Sequence, residues 1–179
     1  MNYKELSKEV SYILRHAPWE YELEIVEQGW VSVSELIESL SKQAIWHDIC
    51  ENDLKQMIDL SEKKRHEMSN GMIRAMYGHS LSKKIVKEPC KPPKYLFHGT
   101  SNALLNEIKK QGLLPMGRQY VHLSDDINTA MVVGKRKSTH PKILKVYADK
   151  AWNEGLTFYH GNDKVWLSNA IPSQYIDLI

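Results

Sequence analysis

The chain has 179 residues, 42% of them apolar, and 24 Lys and Arg against 22 Asp and Glu give a formal net charge of +2. That length suits one large domain or two small lobes with a real core. No apolar run approaches the roughly 20 residues of a membrane span, and the opening MNYKELSKEV is charged and amphipathic rather than a secretory leader. The near-neutral total hides an imbalance: residues 1–85 hold 11 basic against 14 acidic side chains, and residues 86–179 hold 13 against 8. A bulk basic footprint for nucleic acid is therefore excluded from the first half, where any polyanion must be held by a local patch.

Tyr3, Leu6, Val10, Ile13 and Leu14 share one stripe, which predicts an amphipathic helix over 3–16. Pro18 stops it, because the residue before a proline resists the helical region. Arg15 and His16 thus fall in the last turn, where cations suit the negative end of the helix dipole. Tyr21, Leu23 and Ile25 alternate before Gly29 turns the chain into Trp30-Val31. Ser32-Val33-Ser34-Glu35 has capping-box spacing and opens a helix through Leu40. A second helix is predicted over about 48–60, with Ile49, Leu54, Met57 and Ile58 inward. Lys64–Met68 and Met72–Tyr77 then flank Ser69-Asn70-Gly71, a strong hairpin signal, with Arg65 at its start. Two short helices and a two-stranded wing predict a winged-helix-like lobe over 1–85.

The stretch KKIVKEPCKPPK, Lys83–Lys94, has three prolines and five lysines and reads as a linker, placed at 86–94. Strands follow at Tyr95–His98, Tyr120–Ser124 and around 143–148, 164–168 and 174–178. Helices are predicted at about 102–111, ended by Gly112, and near 126–134. The whole is α+β, with a compact second lobe over 95–179. Cys50 and Cys90 are far apart and read as two free thiols. His47, His66, His140 and His160 lack paired ligand spacing, so no metal site is expected. The five tryptophans read mostly as core or strand residues.

Arg15, His16, Arg65 and Arg118 come from three separate elements. Guanidinium forks and an imidazole are what a protein uses to clamp a phosphate, each fork offering parallel donors to two oxygens. Taken singly, each has an ordinary alternative: helix-end cations worth about 0.3–1 kcal/mol, a solvated strand arginine, or loop charge beside Gly117. His98-Gly99-Thr100 follows an apolar strand and precedes a predicted helix. Glycine there permits close approach of a ligand, and helix amides suit a pyrophosphate or ribose hydroxyl; the alternative is a plain strand-to-helix turn. His122 and Ser124, two apart in an alternating strand, share a face and serve either a cleft or the core. Arg74 and His79 are polar hairpin residues or further phosphate contacts. Together these groups point to an enzyme that brings a phosphorylated polymer to NAD⁺.

Seven motifs in order, LSKEVSYILRHAP, GWVSVSELI, KKRHEM, IRAMYGHS, LFHGTS, GRQYVHLSDDINTAMVVGKR and VWLSNAIPSQY, resemble the RNA 2′-phosphotransferase (tRNA 2′-phosphotransferase, KptA-type) family from Leu6 to Ile176. The resemblance implies an N-terminal winged-helix RNA-binding lobe and a C-terminal ADP-ribosyltransferase-like lobe. It also implies NAD⁺ consumed as co-substrate, no metal, and RNA carrying a 2′-phosphate as partner, as in tRNA splicing. The implied reaction has two steps, attack of the 2′-phosphate on the nicotinamide ribose and then transesterification to 2′-hydroxyl RNA and ADP-ribose 1″,2″-cyclic phosphate. The family's phosphate tetrad falls on Arg15, His16, Arg65 and Arg118, and its NAD⁺ groups on His98, Gly99, Thr100, His122 and Ser124. Val165 falls where many ADP-ribosyltransferases carry a catalytic glutamate. His16 is left with two roles, general acid or phosphate ligand. The chain departs from the family at KSTHPKI after Arg136, which puts loop contacts there in doubt. A cytoplasmic monomer is expected. The alternatives are an ADP-ribosyltransferase acting on nucleic-acid phosphates and a non-catalytic RNA-binding module.

Overall fold

Asn2 caps the first helix, α1 (Tyr3–Arg15), its side chain accepting from the Glu5 amide, and the helix buries Leu6, Val10, Ile13 and Leu14. In the computed structural model, which describes all 179 residues, the chain forms two compact units, Met1–Val86 and Lys87–Ile179. After α1 the alternating stretch makes no strand. Pro18–Tyr21 and Glu27–Gly29 are 3₁₀ turns, and Glu22 and Gln28 adopt left-handed φ values of 55° and 57° that break an extended run. Strand β1 (Trp30–Ser32) leads into α2 (Val33–Ser41), capped by the Ser32 side chain. Helix α3 (Glu51–Asp59) starts later than the pattern predicts, because the Asp53 carboxylate accepts from the Cys50 amide and sets the end there. Ile49 lies outside the helix yet is buried.

Strands β2 (His66–Ser69) and β3 (Met72–Ala75) form the predicted hairpin. Asn70 and Gly71 sit at φ 50° and 71°, the paired left-handed residues that a two-residue turn needs to follow the strands' twist. The first unit's sheet runs β1-β3-β2, antiparallel throughout. Leu36, Leu40, Leu54, Met57 and Ile73 meet the buried stripe of α1, each large side chain contributing about 1.5–3 kcal/mol by leaving water.

The second unit is a six-stranded antiparallel sheet in the order β7-β8-β5-β4-β6-β9. Its elements are β4 (Leu96–Thr100), α4 (Leu105–Gln111), β5 (Val121–Ser124), α5 (Ile127–Gly134), β6 (Lys142–Val146), α6 (Ala148–Asn153), β7 (Phe158–Asn162), β8 (Val165–Ser168) and β9 (Ile176–Leu178). The sequence pattern does not disclose α6, only six residues long, or β7, whose FYHGN interrupts apolar alternation with His160 and Gly161. Leu96, Val121, Leu123, Leu144, Val146 and Phe158 build the core.

Pairing inside this sheet is uneven. Strands β4 and β6 pair over five residues and β5 and β8 over four, whereas β4 meets β5 only at Phe97 and Ser124. Two well-paired halves therefore part beyond that point, toward His98 on one strand and His122 on the other. Among the tryptophans Trp46 is buried and Trp30 and Trp166 lie in strands, as expected of most of them, while Trp19 is 65% exposed. Both cysteines are free and exposed. No helix is long and apolar enough to cross a membrane.

Candidate functional site

Three of the four predicted phosphate ligands gather in the first unit. Arg15, at the end of α1, lays its guanidinium 5.2 Å from the centre of the Tyr77 ring and against Gly78, whose φ of 91° suits glycine. His16 follows as the exposed helix cap, its amide donating to the Tyr12 carbonyl at 2.9 Å. Its Nδ1 lies 2.8 Å from the Ser80 hydroxyl, and the Ser80 amide donates to the Arg15 carbonyl at 3.0 Å. The GHS segment after β3 thus braces the helix end on which both side chains stand. Arg65 precedes β2; its carbonyl accepts from the Met76 amide and its guanidinium donates to the Ser61 hydroxyl at 3.3 Å.

Between them lies His66, 3% exposed, with Nε2 2.9 Å from the Ser11 hydroxyl. Burial, followed by the charges of Arg15 and Arg65, pushes this imidazole down to about 3. Two guanidiniums are therefore close enough to act on one buried ring, which stays neutral and joins α1 to the hairpin. Sequence spacing does not reveal this pair, although Ser11 and Arg15 stand one helical turn apart on a common face. Arg74 does not join the cluster. It binds the Glu67 carboxylate and Gln28, and stacks 4.4 Å over the Trp30 ring. His79 is buried, 4% exposed, rather than a polar-face residue.

The remaining candidates sit in the second unit. His98, Gly99 and Thr100 lie inside β4 and not at a helix start; a 3₁₀ turn at Asn102–Leu104 precedes α4. The need for glycine at position 99 also differs from the expected close approach of a ligand. A Cβ there would come 2.2 Å from the Ala130 carbonyl and 2.9 Å from the Gly134 Cα, so Gly99 is where α5 packs on the sheet. Val121 and Leu123 enter the core, which leaves His122 and Ser124 on the opposite face of β5, as alternation predicts.

At the parting of β4 and β5, His98 Nδ1 donates to the His122 carbonyl at 2.8 Å. That bond fixes the tautomer and leaves Nε2 as the lone-pair nitrogen. Burial, partly opposed by this bond, lowers the His98 pKa, and Lys137 and Arg118 lower it further, so the ring is neutral. Arg118 donates from Nη1 to His122 Nδ1 at 2.8 Å, since a guanidinium only donates. The predicted arginine and one predicted NAD⁺ group are thus directly joined. Thr100 and Ser124 are buried hydroxyls, 3% and 6% exposed. Val165 pairs with Ser124 across β8, so an apolar side chain stands beside that hydroxyl. Asp126 caps α5 through the Thr129 amide and hydroxyl, and Lys164 binds both Asp125 and Asp126 at 3.2 Å. The Thr129 bonds first, and Lys164 after them, hold the Asp126 carboxyl far below the usual carboxylate range.

Comparison with known proteins covers nearly the whole chain. The family model described as "RNA 2'-phosphotransferase, Tpt1 / KptA family" matches residues 2–170. A protein of Bacillus thuringiensis subsp. konkukian named "Probable RNA 2'-phosphotransferase" is 59% identical over 174 residues, covering 97% of this chain and 94% of the relative. A protein of Acetivibrio thermocellus bearing the same name is 54% identical over 98% of this chain and 97% of its own length. A third so named, from Acaryochloris marina, is 41% identical over 96% of this chain and 94% of the relative.

Proposed function

Because the chain belongs to the RNA 2′-phosphotransferase family, we propose that it removes an internal 2′-phosphate from RNA and transfers it to ADP-ribose supplied by NAD⁺. The observation that carries this reading is the gathering of Arg15 and Arg65 around one neutral histidine, with His16 next to Arg15 at the same helix end, in a half of the chain that is acidic overall. A cluster of cations without a bulk basic surface suits a single dianionic group rather than a long polyanion.

In the first step an oxygen of the RNA 2′-phosphate bonds to the anomeric carbon of the nicotinamide ribose. The carbon–nitrogen bond breaks and nicotinamide leaves with the electron pair. The nucleophile is already anionic, so no strong base is needed, which accords with apolar Val165 in the position of a catalytic glutamate. In the second step the neighbouring ribose 2″-hydroxyl attacks phosphorus, the bond to the RNA 2′-oxygen breaks, and that oxygen takes a proton. The products are 2′-hydroxyl RNA and ADP-ribose 1″,2″-cyclic phosphate.

Arg15, His16, Arg65 and Arg118 are assigned to the phosphate, where forks stabilise the charge that builds in the second step. Ser80 holds the Nδ1 edge of His16, so the Nε2 edge is the one assigned to the phosphate or to the departing 2′-oxygen. His98, Gly99, Thr100, His122 and Ser124 are assigned to NAD⁺. The opening between β4 and β5 suits that role: it combines a neutral imidazole whose Nε2 accepts a hydrogen bond, suited to a ribose hydroxyl, with two buried hydroxyls. We read the first unit as a winged-helix RNA lobe and the second as an ADP-ribosyltransferase-like lobe, on the hairpin after α3 and the parted six-stranded sheet. Two exposed free thiols suit a reducing, cytoplasmic compartment.

The experiment is incubation with NAD⁺ and a short RNA bearing one internal 2′-phosphate, with products resolved by mass. Free 2′-hydroxyl RNA, nicotinamide and the cyclic phosphate are expected. ADP-ribosylated RNA that never resolves would point to a transferase that stops after the first step, and intact NAD⁺ with unchanged RNA would sink the reading.

A further inference from the structure

The phosphate cluster grips one group, yet an RNA substrate carries charge on every nucleotide, and the half of the chain that holds the cluster is acidic. Residues 86–179 hold the surplus, 13 basic against 8 acidic side chains. Part of that surplus is interleaved with aromatic rings at one end of the second unit's sheet. Tyr95 precedes β4 and Tyr147 follows β6, and their half-exposed rings meet edge to face with centres 5.5 Å apart.

Lys94 lies 5.3 Å from the centre of the Tyr95 ring, and Lys145 lies 5.2 Å from Tyr95 and 5.1 Å from Tyr147. Lys150 stands 5.9 Å from the Tyr175 ring. These three ammonium groups rest on aromatic faces, not in ion pairs. The nearby carboxylates are engaged elsewhere: Asp177 accepts from the Tyr147 hydroxyl at 2.5 Å, Glu154 from the Tyr175 hydroxyl at 2.5 Å, and Asp149 pairs with Lys91 at 3.4 Å. Lys94, Tyr95, Tyr147 and Lys150 line an open concavity of about 350 Å³ together with Asn153 and the engaged carboxylates Asp149 and Glu154, and Lys145 stands beside it against both tyrosine rings.

We propose that this lysine–tyrosine concavity is an accessory site for single-stranded RNA flanking the 2′-phosphate, with a base stacked on Tyr95 or Tyr147 and phosphates on Lys94, Lys145 and Lys150. Cations and aromatic faces in alternation are how single strands are held without sequence preference, because every base has a π-face and every linkage a charge. Direct base readout would need convergent donors and acceptors, and here the hydroxyls of Tyr147 and Tyr175 are already bound. The placement within the sheet fits. Tyr95 immediately precedes β4 and His98 is its third residue, roughly 10 Å apart at about 3.3 Å per residue, a distance that a short extended strand of RNA spans. This inference rests on the proposed RNA 2′-phosphate reaction and adds to it where the rest of the strand lies.

The test compares the intact protein with the doubly charge-reversed Lys94→Glu/Lys145→Glu variant and with Tyr95→Ala/Tyr147→Ala. Each is given a dinucleotide carrying the 2′-phosphate and an oligonucleotide of about 12 nucleotides carrying the same group. The expected result is unchanged turnover of the dinucleotide and a KM for the longer RNA raised about tenfold in the lysine variant. In the same variant the slope of log affinity against log salt should fall by roughly 1.4, for two lost single-strand phosphate contacts. The tyrosine variant should raise that KM while leaving the salt slope alone. Equal effects on both RNAs, or none on either, would overturn the site while leaving the dinucleotide reaction standing. If the dinucleotide were inert with the unaltered protein, the proposed reaction would fail, and anisotropy of the same unphosphorylated oligonucleotide with the variants would still decide the site.

Discussion

His66 shows how a site of cations is kept stable. An imidazole wedged between Arg15 and Arg65 would be a third positive charge if it protonated, and burial together with those charges holds it at about 3. Between pH 6.5 and that value the unfolded chain binds a proton that the folded chain refuses. Stability contributed by the neutral ring is thus present above pH 6.5 and is lost as pH falls, at up to about 1.4 kcal/mol per pH unit. Denaturant midpoints measured from pH 7 to 4 should fall, and His66→Gln should flatten that slope; an unchanged slope would show that another group controls it. For the reaction, Arg65→Ala or Arg118→Ala should slow the second step by roughly 100-fold or more, because that step concentrates charge on phosphorus. ADP-ribosylated RNA should then accumulate on a quenched time course. Loss of nicotinamide release with no trapped intermediate would assign those arginines to the first step instead.

At the scale of elements, the second unit depends on close approach of a helix to its sheet. The Ala130 carbonyl and Gly134 occupy the space where a side chain at position 99 would stand, and backbone atoms cannot yield as a flexible side chain does. Gly99→Ala should cost about 3 kcal/mol or prevent folding, while Gly117→Ala, with nothing within 4 Å, should stay within about 0.5 kcal/mol. Thermal melts of the two variants side by side would check this. The regular elements were legible where local chemistry is strong: the α1 stripe, the Ser32 cap and the Asn70-Gly71 turn all lie where the pattern places them. Residues 21–26 were not, because alternation alone cannot foresee left-handed Glu22 and Gln28. Nor was β7, which is held by pairing with β8 rather than by its own composition.

At the scale of the molecule, each unit has its own apolar cluster, one built on Leu6, Leu36 and Leu54 and the other on Leu96, Leu123 and Phe158. A fragment of residues 1–86 should therefore melt cooperatively by circular dichroism and release no nicotinamide from NAD⁺. A non-cooperative melt would show that the first unit needs the second. The two halves carry net charge of opposite sign, and the proposed function would give them different tasks with a polyanion, a point grip in one and a distributed surface in the other.

The sequence by itself determined the family, the two-part composition and the residue types at the positions proposed for phosphate and dinucleotide, because those are written as ordered motifs with fixed chemistry. It also determined that Arg15 and His16 end a helix, since Pro18 forbids its continuation. Only the tertiary structure decided that His66 stands neutral between two arginines, that Ser80 holds His16, and that Arg118 reaches His122. It alone showed that Gly99 serves helix packing. Apart from the Arg118–His122 bond, which spans four positions, each of these is a contact between residues distant in the chain or a matter of burial, and neither a hydrogen bond across 64 positions nor the loss of water around a ring leaves a mark on local spacing.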